Sequence, residues 1–330
     1  MSSSIIEVTD LAKSFGEIKA VNGVSFDVGA REIFGFLGPN GAGKSTTIKI
    51  LATLLKPTSG RAVLAGHDVM KDPDAVRRSI GLVFQDPSLD VRLTADENLY
   101  FHAMLYDVPR DVFKGRADQV LKMVDLIDRR SSPVLTFSGG MKRRLEIARG
   151  LLHHPQVLFL DEPTLGLDVQ TRNAIWAHVR RLRDEVGTTV FMTTHYMDEA
   201  ENCDRIAVID HGKIQAIDTP AALKRGIGGD TVIVGDDAAL EQDIAAKYSV
   251  GVQKVAGQYQ FQIASGAEFV PRLITDFSGR ITAVQVKPPS LEDVFLRLTG
   301  HAIRAEEGGM KDLMRQGARL FRPGGGAAGR

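Results

Sequence analysis

Gly38-Pro-Asn-Gly-Ala-Gly-Lys-Ser45 is the most informative segment for the fold, because it matches the phosphate-loop pattern GxxxxGK[ST]. An apolar run over residues 33–37 precedes it and a helical pattern over residues 46–55 follows it, as the motif requires. Backbone amides in such a loop and the positive end of the following helix hold a nucleotide's phosphates. Lys44 is expected to reach the β and γ phosphates, and Ser45 to ligate Mg²⁺. The predicted phosphate-binding residues are Gly38, Pro39, Asn40, Gly41, Ala42, Gly43, Lys44, Ser45 and Thr46.

Short apolar runs recur along the chain and each ends where a polar motif begins. They cover residues 32–37, 80–84, 157–160 and 188–193. Runs that are apolar on both faces are typical of buried parallel strands, and open α/β sheets bind ligands at the carboxyl ends of such strands. The sequence therefore predicts an α/β fold with its chemistry gathered at one sheet edge.

One of these runs, Val157-Leu-Phe-Leu-Asp-Glu162, ends in two acids. Acids at the end of a buried strand are costly unless they face a cation or a polar site. Asp161 is predicted to orient Mg²⁺ through its water shell, and Glu162 to act as the general base for an attacking water. The alternative is that Asp161 begins a solvated helix.

The segment Phe137-Ser-Gly-Gly-Met141 lies just before the acidic strand and resembles the LSGGQ signature of ABC ATPases, a likeness that covers roughly residues 4–222. Ser138 can cap the following helix, so that the helix N-terminus and the amides of Gly139 and Gly140 form a second anion site. In the family this site grips ATP bound to the opposite subunit. The resemblance therefore implies ATP and Mg²⁺ as ligands and a head-to-tail dimer, with a second copy or a similar cassette. Met141 replaces the usual glutamine.

Four further residues match family positions and take their predicted roles from the resemblance. Phe15 resembles the aromatic that stacks on adenine, with a core or strand aromatic as the alternative. Gln85 resembles the glutamine that touches magnesium and senses the membrane subunit; alone it would be a surface residue. Asp168 resembles the aspartate of the dimer-interface loop. His195 resembles the switch histidine at the γ-phosphate, with a neutral core histidine as the alternative.

The amino-acid composition bears on three questions: a nucleic-acid partner, disulfide bonds and membrane spans. Lys plus Arg and Asp plus Glu both number 41, so the zero net charge gives no support to a nucleic-acid partner. The single cysteine, Cys203, excludes an internal disulfide and fits a reducing compartment. No run approaches the roughly 18 apolar residues of a spanning helix, and we expect no membrane span.

Changes in the predicted secondary structure along the 330 residues indicate the domain boundaries. We expect an ABC ATP-binding domain over residues 1–225, which is a P-loop NTPase cassette with an inserted helical subdomain at about 90–154. In the subdomain we expect one helix that begins with the capping box Thr94-Ala-Asp-Glu97 and another at about 113–127, and after it a hairpin that turns at His211-Gly212. The order βαββαβ predicts a small α+β ferredoxin-like domain over 226–300. Residues 301–330 are expected to be a disordered tail. The alternative is a basic helix, with Met310, Leu313, Met314 and Phe321 on its apolar face.

The segments FSGGMKRRLEIARGLLHHP, THYMDEAE and PPSLEDVFLRLTG resemble the daunorubicin-resistance type of exporter ATPase. This resemblance implies an ATPase subunit at the cytoplasmic face of the membrane, a separate integral membrane permease, and a drug, antibiotic or lipid-like cargo. The permease is expected to dock near residues 85–93, with Leu89, Val91 and Leu93 as apolar anchors; local core packing is the alternative. A soluble ABC ATPase acting on nucleic acid or the ribosome is the rival function, and a weakly hydrolysing regulatory module is a third.

Overall fold

The computed structural model describes residues 4–301, except residues 87, 236, 237, 256 and 282. The expectations for the tail beyond His301, including its apolar face, lie outside the described residues. No helix in the described part of the chain is long and apolar enough to cross a membrane.

A six-stranded sheet forms the centre, in the order β10-β9-β3-β8-β7-β6. Its strands are β3 (Ile33–Leu37), β6 (Ile80–Val83), β7 (Val157–Asp161), β8 (Thr189–Thr194), β9 (Arg205–Asp210) and β10 (Lys213–Asp218). All neighbours are parallel except β9 and β10, a hairpin that turns at His211-Gly212 as predicted. Every residue of β3, β7 and β8 is buried, because both faces of the sheet are covered. The predicted α/β fold with a parallel sheet is confirmed.

An antiparallel sheet covers one face of the central sheet and was not predicted. It consists of β1 (Ser4–Phe15), β2 (Ile18–Gly29), β4 (Ser59–Leu64) and β5 (His67–Asp68), in the order β2-β1-β4-β5. Phe26 of β2 packs against the central strands, with its ring centroid 5.7 Å from Phe34 and 5.0 Å from Phe36. This aromatic cluster joins the two sheets in one core.

Two helices, α1 (Lys44–Leu51) and α2 (Pro73–Ser79), belong to the same core as the antiparallel sheet. The other helices of this unit belong to the core on the opposite face of the central sheet. They are α3 (Ala95–Leu105), α4 (Arg110–Met123), α5 (Gly139–Leu151), α6 (Val169–Arg181), α7 (Met197–Ala200) and α8 (Pro220–Gly226), with 3₁₀ turns at Ile127–Arg129 and Val134–Thr136 and a π-turn at Leu182–Val186. The predicted capping box of α3 is present, since Thr94 and Glu97 exchange hydrogen bonds. The predicted helix over 113–127 was misplaced: α4 starts after extended Pro109 and ends before Asp125, whose φ of 54° breaks it.

The C-terminal part has the predicted βαββαβ order. Its elements are β11 (Asp230–Val234), α9 (Ala238–Tyr248), β12 (Gln253–Val255), β13 (Gln258–Ile263), α10 (Gly266–Asp276) and β14 (Val284–Lys287), with the ferredoxin-like strand order β12-β13-β11-β14. A last helix, α11 (Leu291–Thr299), is capped by Ser290. Leu291 and Val294 of α11 belong to the core of the central sheet. The chain thus returns to the first unit after completing the second sheet.

Candidate functional site

Residues from three separate motifs meet at the carboxyl ends of β3, β7 and β8. The Oγ of Ser45 donates a hydrogen bond to Asp161 Oδ1 over 3.0 Å. Lys44 Nζ lies 3.4 Å from Glu162 Oε1, and His195 Nδ1 lies 3.3 Å from the same oxygen. Parallel strands bring their carboxyl ends to one edge, which explains why residues distant in sequence meet here.

The phosphate loop depends on glycine at its end. Gly43 precedes α1 with a φ of 104°, and a Cβ there would lie 2.4 Å from the carbonyl oxygen of Ala20 on β2. Only glycine combines that conformation with that approach. The loop is therefore seated against the β1–β2 hairpin and opens directly into α1.

Lys44 is almost completely buried within this loop. Its ammonium donates hydrogen bonds to the carbonyl oxygens of Gly38, over 2.7 Å, and Pro39, over 3.1 Å. Burial lowers the pKa of Lys44, while the nearby charge of Glu162 opposes that shift. The side chain is thus held at the loop's mouth, where it can meet phosphate oxygens.

Glu162 has a strained backbone, with a φ of 47°. Its amide donates to the carbonyl oxygen of Thr193 over 3.2 Å and to Thr193 Oγ1 over 3.1 Å, which holds that conformation. Burial acts to raise the pKa of Glu162, but His195 and Lys44 outweigh it and lower the pKa below its usual value. Glu162 is therefore kept as a carboxylate that can accept a proton.

Asp161 lies where oxygen ligands converge. Its Oδ1 accepts hydrogen bonds from Ser45, and from Thr193 Oγ1 over 2.5 Å. A carboxylate and a hydroxyl beside a phosphate loop are the ligand types that Mg²⁺ prefers, so the residues fit this cation. Gln85 lies in an exposed position after β6 and takes no part in these hydrogen bonds.

Phe15 is the last residue of β1, where the chain turns into β2. Its ring is 49% exposed, and the ammonium of Lys13 lies 5.1 Å from the ring centroid. This exposure does not fit a core aromatic, whereas the other alternative, a strand aromatic, agrees with the position of Phe15 in β1. The ring is available for stacking on a flat apolar ligand.

The signature-like segment and Asp168 form a second surface. Ser138 caps α5 by accepting a hydrogen bond from the Met141 amide, as predicted. A Cβ on Gly140 would lie only 2.3 Å from Thr171 Cγ2. The amide and hydroxyl of Thr171 both donate to Asp168, over 3.0 and 2.6 Å. Thr171 therefore links the glycine segment to the predicted interface loop.

A buried ion pair on α5 was not predicted from the sequence: Arg143 and Glu146, whose charged atoms lie 3.1 Å apart. Arg143 donates to the carbonyl oxygens of Pro163 over 2.7 Å, of Asp161 over 3.0 Å, and of Phe84. Glu146 accepts from the Ser88 amide over 2.8 Å. The pair thus ties the signature helix to the acidic strand and to the segment after β6.

A signal for this pair was present in the sequence. The charged residues stand three positions apart, Arg143 lies one turn after Gly140, and both share the buried side of α5. Charges on a helix side that also carries glycine and aliphatic residues indicate a buried network rather than a solvated face.

The ABC transporter family matches residues 21–165 of the chain. A second family, described as the C-terminal domain of DrrA1-3-like ATP-binding proteins, matches residues 219–299.

Curated relatives match over nearly the whole chain. The linearmycin resistance ATP-binding protein LnrL of Bacillus subtilis (strain 168) is 38% identical over 91% of this chain and 100% of its own length. The daunorubicin/doxorubicin resistance ATP-binding protein DrrA of Streptomyces peucetius is 40% identical over 90% of this chain and 92% of its own. A Nod factor export ATP-binding protein I of Ralstonia nicotianae is 38% identical over 92% of this chain and 96% of its own length.

A solved structure extends the likeness to the fold. The dimeric structure of MJ0796, a bacterial ABC transporter cassette, is 30% identical and covers 65% of this chain and 98% of its own length, with a TM-score of 0.59.

Proposed function

We propose that this chain, which belongs to the ABC transporter ATP-binding family, has a separate integral membrane permease as its partner and a drug, antibiotic or lipid-like molecule as its cargo. The chain is an ATP-binding and ATP-hydrolysing subunit of the exporter type, and its relatives do not support the nucleic-acid alternative. The names of the resistance and Nod factor export relatives support the outward direction and the cargo class.

The proposal for hydrolysis rests on one arrangement: Lys44 Nζ and His195 Nδ1 both lie close to the same carboxylate oxygen of Glu162. Glu162 takes the proton of the attacking water, for which its ionised form is required. Lys44 pairs with the β and γ phosphates, and His195 contacts the γ-phosphate and helps to hold the Glu162 carboxylate. Phe15 stacks on the adenine.

We propose that Ser45, Asp161 and Gln85 hold Mg²⁺, the first directly and Asp161 through water. When bound, this ion would neutralise charge on the phosphates. Thr193 supports the site by donating to the carboxylate of Asp161 while its backbone and hydroxyl hold the Glu162 amide. The oxygen ligands at this position support the assignment.

ATP hydrolysis is proposed to need two cassettes packed head to tail. Ser138 and Gly139 are exposed on the surface that also carries Asp168, and the side chains of Leu165 and Val169 beside Asp168 are exposed as well. Apolar residues around a helix N-terminus suit an interface that closes on an anion. Each ATP would then lie between the phosphate loop of one subunit and Ser138, Gly139 and Gly140 of the other.

We propose that the permease docks beside residues 85–93 at the cytoplasmic face of the membrane. Val91 is exposed there, whereas Leu89 and Leu93 are partly buried, so local packing takes part of their surface. Helix α3 adds three exposed apolar side chains, Phe101, Met104 and Leu105. A cluster of this kind is typical of a protein contact.

A detergent pull-down from membranes tests the partner. The wild-type chain should retain an integral membrane protein, and Leu105→Glu should lose it while keeping ATP binding. Ile274→Glu, at an exposed apolar position on α10, is the matched control and should retain it. Equal recovery with both variants would exclude the α3 surface, and recovery of ribosomes or nucleic acid instead would overturn the exporter assignment.

A further inference from the structure

Two histidines and an aspartate converge outside the nucleotide site. Asp210 ends β9, His211 follows it in the hairpin turn, and His301 follows α11 at the far end of the described chain. One ligand atom from each of the three lies within 4.8 Å of the other two. Asp210 Oδ2 lies 3.1 Å from His301 Nε2 and 3.8 Å from His211 Nε2.

Asp210 is buried, so its carboxylate needs a partner. The Asp210 side chain is only 8% exposed, whereas that of His211 is 88% exposed. Burying a carboxylate is costly unless it is paired or coordinates a metal, and here two imidazoles approach one of its oxygens. The carboxylate is thus fixed from inside the fold, while His211 can adjust from the solvent side.

The ligand types and spacings fit a particular class of ion. Imidazole nitrogen and carboxylate oxygen are ligands of Zn²⁺ and similar divalent transition metals, whereas Mg²⁺ prefers oxygen alone. Tetrahedral bonds of about 2 Å place ligand atoms about 3.3 Å apart. The two distances from Asp210, 3.1 and 3.8 Å, lie close to that value, and the ligand atoms of the two histidines are within 4.8 Å of each other.

We propose that Asp210, His211 and His301 form a binding site for one Zn²⁺-like divalent transition metal, with water in the remaining position. Such an ion would join the segment after α11 to the β9–β10 turn. The turn is itself attached to the phosphate loop, because the Gly212 amide donates to the carbonyl oxygen of Ala42 over 3.1 Å. Metal binding would therefore stabilise the C-terminal part against the nucleotide-binding unit.

Cobalt titration of the full, tag-free chain tests the site directly. Excess Mg²⁺ is included so that oxygen-only sites are already filled. We expect one equivalent of Co²⁺ to give the visible absorption of a tetrahedral site, and one equivalent of Zn²⁺ to remove it. Zn²⁺ should also raise the midpoint of thermal unfolding.

Matched variants separate this site from unspecific binding. His211→Ala should weaken metal binding by about 10- to 100-fold or more, because even the loss of an outer hydrogen bond to a metal ligand lowers the affinity that much. His301→Ala should do the same. His67→Ala, in the separate β5 strand, should bind as the wild type does. Because His211 is so exposed, its loss should leave folding unchanged. No Co²⁺ spectrum in the wild type, or equal binding by His211→Ala and His67→Ala, would overturn the proposal.

Discussion

The ammonium nitrogen of Lys44 lies 3.4 Å from carboxylate oxygen Oε1 of Glu162, so the phosphate loop and the acidic strand are in direct contact. The same oxygen is 3.3 Å from His195 Nδ1. One carboxylate oxygen thus lies close to both the phosphate-loop ammonium and the imidazole that follows β8. We therefore expect changes at any of the three residues to affect the other two.

Lys44→Ala should lower ATP turnover by about 100- to 1,000-fold, the usual effect of losing one donor that stabilises transition-state charge. It should also weaken ATP binding, because the variant lacks the charge that we propose to pair with the β and γ phosphates. Steady-state ATPase assays and nucleotide titration measure both. Lys49→Ala, at an exposed position on the same helix, is the control and should stay near wild type. Normal turnover in Lys44→Ala would exclude the phosphate-loop assignment.

The pH profile of turnover should report on Glu162. Burial acts to raise its pKa, but His195 and Lys44 hold it below 4.5. A carboxylate with a lowered pKa keeps its charge above that pKa and loses it as the pH falls through it. His195→Ala removes one of the lowering groups, so the acid limb of its residual turnover should move to higher pH. An acid limb at the wild-type position or below it would contradict this.

Replacing Gly140 of the signature-like segment by alanine should destabilise the protein. In Gly140→Ala the new Cβ would meet Thr171 Cγ2 at 2.3 Å, and we expect a loss of about 1–3 kcal/mol in the free energy of unfolding. Urea denaturation measures it. Gly139→Ala is the control, since a Cβ there meets Leu167 at an ordinary 3.7 Å.

A double variant identifies the cause of that loss. Thr171→Ser removes the Cγ2 methyl but keeps the hydroxyl that donates to Asp168, so Gly140→Ala/Thr171→Ser should recover most of the lost stability. If the double variant is no more stable than Gly140→Ala, the clash is not the cause.

The buried pair on α5 should be important for stability. Arg143→Met leaves Glu146 without its ion-pair partner, and breaking a buried pair in this way costs about 3–5 kcal/mol. Arg78→Met, on the C-terminal turn of α2, is the surface control and should cost far less. Similar unfolding midpoints for the two variants would show that the Arg143 network contributes little.

The local motifs could be predicted from sequence because their chemistry constrains adjacent residues. The phosphate loop around Lys44, the acids after β7 and the Ser138 cap all follow from short patterns. The contact of Arg143 with the Phe84 carbonyl oxygen could not be predicted, because it joins residues far apart in sequence. The pairing of β1 with β4 was missed for the same reason, since the phosphate-loop unit separates these two strands in sequence.

Helix ends were the least predictable local feature. The end of α4 depends on the positive φ of Asp125, which no apolar periodicity records. The return of α11 to the first core was also not apparent, although Leu291 and Val294 were available as apolar positions. A helix pattern shows that one face is buried but does not identify the surface that buries it.

Glu162→Gln tests general-base catalysis. The change keeps the size of the side chain but removes its charge and basicity, so hydrolysis should fall by about 100- to 10,000-fold while ATP still binds. Single-turnover hydrolysis together with nucleotide titration measures the two effects. Hydrolysis at the wild-type rate would show that Glu162 is not the base.

The two-cassette ATP site is tested most directly by light scattering, which measures the molar mass of the Glu162→Gln variant in solution with Mg²⁺ and ATP. Because ATP should be clamped between the phosphate loop of one subunit and Ser138, Gly139 and Gly140 of the other, slow hydrolysis should accumulate a nucleotide-bridged dimer. Adding Ser138→Arg should return the protein to a monomer without removing ATP from the phosphate loop. A Glu162→Gln chain that binds ATP, fails to hydrolyse it and stays monomeric even with its membrane partner would contradict the two-cassette site.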